Sequence, residues 1–265
     1  MLAPRRLLLG VAGPCRRLRK CNAGHAHYIA VHLFLMHPLD NATWTALTTL
    51  QAKFAVSSVA AKRFPPEMTV LGALREFSAE AFASLATLAA EHPVTIYSAT
   101  DSPLPPSWTI VRQILLTQMV YESELPAEFQ TENTANEVIE LTEADVPEMS
   151  VVYAATRPGR TLCPLIQRLG GFLGIRNNGA LVAIGGVRLH LNGYREITTV
   201  GTLPEYTGRG YATALVSALV RRIRDAGEQP FLTVGTANVR AREIYRRLGF
   251  RDRAEIHSRT IRYVR

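Results

Sequence analysis

The sequence predicts an α/β (α+β) chain, with an antiparallel meander in its C-terminal half and a smaller α/β unit ahead of it. Three observations predict this. Apolar runs at 172–176, 180–191 and 194–203 are joined by Asn178-Gly179 and Asn192-Gly193, the dipeptide that suits two-residue hairpin turns. The third run passes through a glycine-containing loop into an amphipathic helix pattern, and a second strand-to-helix passage follows. With 47% hydrophobic and 20% charged residues, the chain is too apolar for disorder and can bury one large core or two modest ones. We expect a leader over 1–39, a domain over 40–130 and a second over 137–265, divided at the polar, aperiodic stretch 126–136.

The leader carries six Lys/Arg and no acid. It reads in three ways: an Arg-rich mitochondrial transit peptide, a secretory signal with a short apolar run at 7–13, or sequence upstream of a true start at Met36, since acids first arrive at Asp40. Cys15, Cys21, His25, His27, His32 and His37 follow no known zinc spacing, so no metal is expected. Cys163 is the one cysteine of the body. Without a disulfide scaffold the expected compartment is reducing: the cytoplasm, or the mitochondrion if the leader is a transit segment. No run reaches the roughly 18 apolar residues of a membrane-spanning helix.

In the 40–130 unit, Asp40 or Asn41 is placed to cap a helix running through Trp44, Leu47, Leu50 and Phe54. Ser78 opens a second helix with Phe82, Leu85 and Leu88 on one stripe, stopped by His92-Pro93. Residues 94–97 and 108–120 read as strands around the Pro-rich turn 102–107. Trp44, Trp108 and Tyr121 read as core or rim aromatics, and nothing here has a catalytic spacing.

From 137 onward, a short strand at 138–141 precedes Thr142-Glu143-Ala144-Asp145, which resembles a capping box opening a helix that Arg157-Pro158-Gly159 ends. After the meander, Ala212, Leu215, Val216, Leu219, Val220 and Ile223 recur at steps of three and four, opposite Ser217, Arg221, Arg222 and Arg224, until Gly227. Gly208-Arg209-Gly210 therefore sits at a helix N-terminus, where unpaired N–H groups and the helix dipole attract phosphate and Gly210 permits close approach. The dinucleotide fingerprint is absent, because Thr213 occupies its third glycine position. A strand at 231–234 then leads into a helix over 238–248 closed by Gly249-Phe250. Asn238 and Tyr245 lie two turns apart on one face of it. Arg221-Arg222 and Arg246-Arg247 read as solvated helix faces.

Charge is uneven: +6 over 1–39, −5 over 40–136 and +7 over 137–265, within a total of +8. The last value suits a nucleotide cofactor or a nucleic-acid backbone alike.

The glycine loop followed by Asn238…Ala241…Tyr245…Gly249-Phe250 resembles the GNAT N-acyltransferases over 137–265, and Glu196-Ile197…Pro204-Glu205-Tyr206 with Pro230-Phe231-Leu232 is most similar to the glycine N-acyltransferase C-terminal region. The resemblance implies a mixed, mostly antiparallel sheet flanked by helices. It implies acetyl-CoA or another acyl-CoA as co-substrate, no metal, and acyl transfer to a primary amine, small molecule or peptide, by direct attack in a ternary complex. Pyrophosphate would rest on Thr207, Gly208, Arg209, Gly210, Tyr211 and Ala212. Val200, Gly201 and Thr202 would splay from the neighbouring strand to hold the pantetheine arm, with Asn238 beside them. Tyr245 would protonate the leaving thiolate, and Glu196 stands where some members keep a carboxylate base. By period-two alternation Glu196 shares a face with Thr198 and Val200.

One departure stands out, since Thr207 occupies the position of the family's Arg or Gln. It leaves a non-catalytic acyl-CoA-binding regulator as the alternative. A nucleic-acid-binding protein is the second rival, but the Arg residues lack interleaved aromatics and any zinc or helix-turn-helix signal, so neither nucleic acid nor membrane is expected as a partner.

Overall fold

The computed structural model describes residues 37–89, 92–123 and 137–264, which belong to one compact unit, His37–Arg265. The leader over 1–36, with Cys15, Cys21, His25, His27, His32 and the proposed start at Met36, lies outside the described residues, as does the polar stretch 126–136.

Three short strands, β1 (Val56–Ser57), β2 (Ala61–Arg63) and β3 (Gly72–Leu74), form a small antiparallel sheet. The main sheet holds β4 (Val94–Ser98), β5 (Trp108–Tyr121), β6 (Val138–Leu141), β7 (Phe172–Asn177), β8 (Ala180–Leu191), β9 (Tyr194–Thr202), β10 (Gln229–Gly235) and β11 (Phe250–Tyr263) in the order β4-β11-β5-β10-β9-β8-β7-β6. Only β9 and β10 pair in parallel within it, so the sheet is mixed and mostly antiparallel as expected. Asn178 at φ 50 and Gly179 at φ 82 give the β7–β8 turn the two positive dihedrals of a type I′ hairpin.

Helices cover both faces. On one, α4 (Tyr211–Asp225) and α5 (Val239–Arg247) pack against Val182, Ile197 and Leu232 through Leu215, Leu219 and Ile223, with Ile244 and Tyr245 partly buried beside them. On the other, α1 (Ala42–Thr48) and α3 (Val146–Thr156) bring Leu47, Met149 and Val152 onto Ile184, Leu189 and Phe231. Each such side chain contributes about 1.5–3 kcal/mol when fully buried. The remaining helix, α2 (Ala79–Ala89), is capped by Ser78, whose Oγ accepts from Ala81 N, and packs with β4 in a smaller cluster. Among the described residues no helix is long and apolar enough to cross a membrane.

The division expected between 40–130 and 137–265 is not a division of this sheet. β5 lies hydrogen-bonded between β11 and β10, and β4 pairs with β11. Strands β4 and β5 alone would expose unpaired edges, which the C-terminal strands satisfy.

The first helix is shorter than its apolar spacing predicts. It ends at Thr48, a 3₁₀ turn takes Ala52–Phe54, and Leu50 is 45% exposed. Thr48 and Thr49 turn their hydroxyls back onto the carbonyls of Trp44 and Thr45, a local competition that β-branched hydroxyl residues bring to helix ends. By contrast, Thr142 and Asp145 form the reciprocal capping box that leads through a 3₁₀ turn into α3.

Candidate active site

β9 and β10 hydrogen-bond only from Tyr194 to Ile197 against Gln229 to Leu232. Beyond that point β9 runs on to Thr202 and β10 to Gly235 without pairing each other. A parallel pair that opens mid-strand leaves backbone groups on both edges without a sheet partner.

Two clefts meet at this opening. The first, about 640 Å³, is lined by Val200, Gly201, Thr202, the Thr207-to-Thr213 segment except Arg209, and the α5 residues Arg240 and Arg247. The second, about 720 Å³, lies on the side of α3 and is lined by Thr198, Thr199, Arg157 and Val234 among others. Thr156, Val200, Asn238, Ala241 and Tyr245 line both.

A bulge shapes β9 at this point. Gly186 pairs with Thr198 but Ile184 pairs with Gly201, so one extra residue is held in β9, where Thr199 has φ 58. The bulge inverts the alternation. Glu196, Thr198 and Gly201 fall on the α3 face, whereas Ile197 and Val200 pack on the α4 face. The expectation that Glu196 shares a face with Val200 is thereby corrected.

Downstream of the bulge, Leu203 N donates to Val182 O on β8, so alternation turns the N–H groups of Val200 and Thr202 to the opened edge. On the same edge the Val200 carbonyl accepts from Arg157 Nη2 at 3.1 Å. The Thr202 hydroxyl is buried without a hydrogen-bond partner among the described residues. At Gly201 a Cβ would stand 2.8 Å from Thr156 Oγ1 and 3.2 Å from Arg157 Nη1, so glycine is what lets the end of α3 approach β9.

The loop is equally specific. Gly208 and Gly210 have φ 82 and 80, while a Cβ at either would meet nothing within 4 Å, so backbone conformation rather than crowding requires glycine. Gly210 is the N-cap of α4 and carries no side-chain cap, leaving first-turn N–H groups at the cleft wall. Arg209 lies outside the lining, its guanidinium over the Tyr206 ring 4.9 Å from the centroid. Thr207 donates its hydroxyl to Pro204 O at 2.9 Å, tying the loop to the 3₁₀ turn before it.

Asn238 caps α5, its Oδ1 accepting from Ala241 N at 3.2 Å. Tyr245 projects from the same helix between the clefts, edge-on to Phe250 at 6.0 Å. Burial raises its phenol pKa, and Arg157 nearby offsets part of the rise.

Glu196 is placed differently from the base expected. It is fully buried, lines neither cleft, and receives both Nε and Nη2 of Arg188 at 2.9 and 2.7 Å, with the Thr233 hydroxyl at 3.3 Å. Burial disfavours the charge on Arg188, but Glu196 and Tyr97 more than offset this and its pKa is raised. Among the described residues no Asp, Glu or His lines either cleft.

The arginine pairs also divide. Arg222 bonds Glu140 at 2.8 Å, and Arg242 and Arg246 converge on Asp252, whereas Arg247 reaches the first cleft. Nothing local points to Arg157, because its partner Val200 is 43 residues away and Arg157 reads as a helix end.

Residues 172–259 match a protein family described as FR47-like. No curated protein matches the sequence. Among solved structures, a GNAT-family protein from Novosphingobium aromaticivorans is 29% identical, with a TM-score of 0.78 over 87% of this chain and 100% of that one. A GCN5-related N-acetyltransferase-like protein from Streptococcus suis superposes with a TM-score of 0.59 at 15% identity, covering 90% of this chain and 100% of that one. A GCN5-related N-acetyltransferase from Kribbella flavida gives 0.54 at 16%, covering 83% and 95%; these last two speak to the fold alone. The FR47-like match contains the opened strand pair, the glycine loop and Tyr245, and along most of the chain the fold is that of GNAT-family structures.

Proposed function

We propose that this chain transfers an acyl group, acetyl in the simplest case, from a CoA thioester to a primary amine within a ternary complex. The observation that carries the reading is the opening of β9 from β10, which joins two clefts at Tyr245. The first cleft suits the CoA moiety: uncapped helix amides and Arg240 and Arg247 for phosphates, free N–H groups of Val200 and Thr202 and an unpartnered Thr202 hydroxyl for the amide-rich arm. When bound, acyl-CoA supplies an activated carbonyl and a thiol leaving group.

An amine in the second cleft attacks that carbonyl carbon, forming the N–C bond as the C–S bond breaks. Backbone N–H groups on the opened β9 edge are placed to donate to the oxygen that gains charge. Tyr245, kept protonated by its raised pKa, gives its proton to the departing sulfur. The amine must attack neutral, yet among the described residues no carboxylate or imidazole lines the cleft. One proton leaves to solvent before attack, favoured by neighbouring guanidinium groups because like charge disfavours an ammonium, and the second, shed as the amide forms, restores the Tyr245 phenol. Glu196 acts through Arg188 as a positioning residue in this reading, holding the wall of the second cleft.

A regulator that binds acyl-CoA without turnover is not favoured, because the second cleft is open and reaches Tyr245. Free-thiol release from acetyl-CoA in the presence of an amine panel tests the proposal. Amine-dependent release supports it, and its absence across amines in protein that binds acetyl-CoA would return the regulator.

A further inference from the structure

The second cleft is built to take an anion. Arg112, Arg157 and Arg160 line it, and among the described residues no acidic one does. Arg157 is half-buried and its donors go to Thr156 Oγ1 and Val200 O, so its charge has no carboxylate counterpart among the described residues. Arg112 and Arg160 are exposed at the rim and likewise make no ion pair among the described residues. Burial and mutual repulsion depress Arg157 and Arg112, each of which senses Arg160. Arg188, the fourth guanidinium in the wall, is already neutralised by Glu196. A partly desolvated guanidinium without a counter-ion is costly, and a bound carboxylate on a planar fork would relieve it.

Elsewhere the wall mixes threonine and tyrosine hydroxyls with apolar side chains. Leu71, Ile114, Leu116, Leu162, Ile166 and Leu232 face the same space, and its roughly 720 Å³ is far more than a minimal amine would fill.

We propose that the acceptor is a primary amine bearing a carboxylate and a bulky apolar body, such as a hydrophobic α-amino acid, with the carboxylate held by Arg157, Arg112 and Arg160. This rests on the reading of the second cleft as the acceptor site. The same cationic field that holds the carboxylate promotes loss of the ammonium proton, and it repels polyamines and Lys-rich peptides. In the transfer the amino nitrogen gains the acyl carbon, the thiol takes one proton and solvent takes the other.

The test pairs equilibrium binding with turnover. By calorimetry, N-acetyl-L-phenylalanine is expected to bind at least ten-fold more tightly than N-acetyl-L-phenylalaninamide, and the R112Q/R160Q variant, altered only at exposed rim positions, is expected to erase that difference. Equal affinity for acid and amide, an unchanged preference in the variant, or tighter binding of the matching phosphonate overturns the carboxylate assignment. In thiol release, L-phenylalanine is expected to exceed L-phenylalaninamide in kcat/KM by ten-fold or more, although the amide's amine is the more easily deprotonated. Spermidine as the preferred acceptor refutes this inference while leaving acyl transfer standing. Anion-selective binding with no turnover of any amine leaves the anion site standing but overturns the acceptor assignment together with the transferase reading.

Discussion

Replacing Glu196 by Gln separates a base from a scaffold. In the structure Glu196 is fully buried and holds Arg188, whose side chain is 14% exposed, through two bonds of 2.9 and 2.7 Å. Removing the negative charge leaves a guanidinium without its counter-ion, and breaking such a pair costs about 3–5 kcal/mol. Because Gln keeps one acceptor oxygen, the lower end, about 3 kcal/mol, is expected. For a chain of this size that is a fall in Tm of about 6–12 °C. A general base would lose about 10²–10⁴-fold in rate instead. The assay is thermal unfolding beside thiol release per folded molecule across pH. The expected result is a large stability loss with kcat within a few-fold of the parent and an unchanged pH profile. The double variant R188M/E196L, which removes both charges, is expected to recover most of the lost stability. An E196Q protein that melts like the parent but loses a hundred-fold in kcat, together with the rising limb of its pH profile, would refute the reasoning and restore Glu196 as the base.

Tyr245→Phe removes the proton donor while keeping the ring that meets Phe250, so kcat should fall about 10²-fold or more with little change in acetyl-CoA affinity, as steady-state kinetics and calorimetry would read. The pH dependence has a sign: Tyr245 works protonated and burial lifts its pKa above the ordinary 10.0, so the high-pH fall in kcat should lie beyond about 10, and R157M, which removes the offsetting cation, should move it higher still. A fall centred near neutrality would contradict this. Gly210→Ala meets no clash but forces an L side chain to φ 80, so the loop should lose about 1–2 kcal/mol, read as weaker acetyl-CoA binding in a protein that melts nearly normally.

Much of this molecule is readable from local pattern. The Asn-Gly hairpins, the stripe of α4, the capping box before α3 and the glycine loop each depend on residues within a few positions of one another, and each stands as expected. What escaped the sequence is relational. β1 to β3 are two or three residues long, too short for alternation to register. That β5 would lie between β11 and β10 depends on pairing across more than a hundred residues. The site divides along the same line. Thr207, Gly208, Gly210, Tyr211, Ala212, Asn238 and Tyr245 line one cleft. The face shared by Glu196 and Val200 was misread because a bulge at Thr199, invisible in a run that otherwise reads as a regular strand, turns the residues beyond it to the opposite face. Arg112 comes from a different segment from Arg157 and Arg160, and only the fold brings it to them.

Calorimetric titration of acetyl-CoA into the full chain tests the central claim, that the glycine loop and the opened β9 edge form a cofactor cradle. One saturable site is expected, competed by free CoA and weakened when Arg247 is replaced by Ala, with the weakening diminished at high salt. Folded protein that takes up no acetyl-CoA, or binds it equally well with the Gly210 backbone distorted and Arg247 removed, would contradict it.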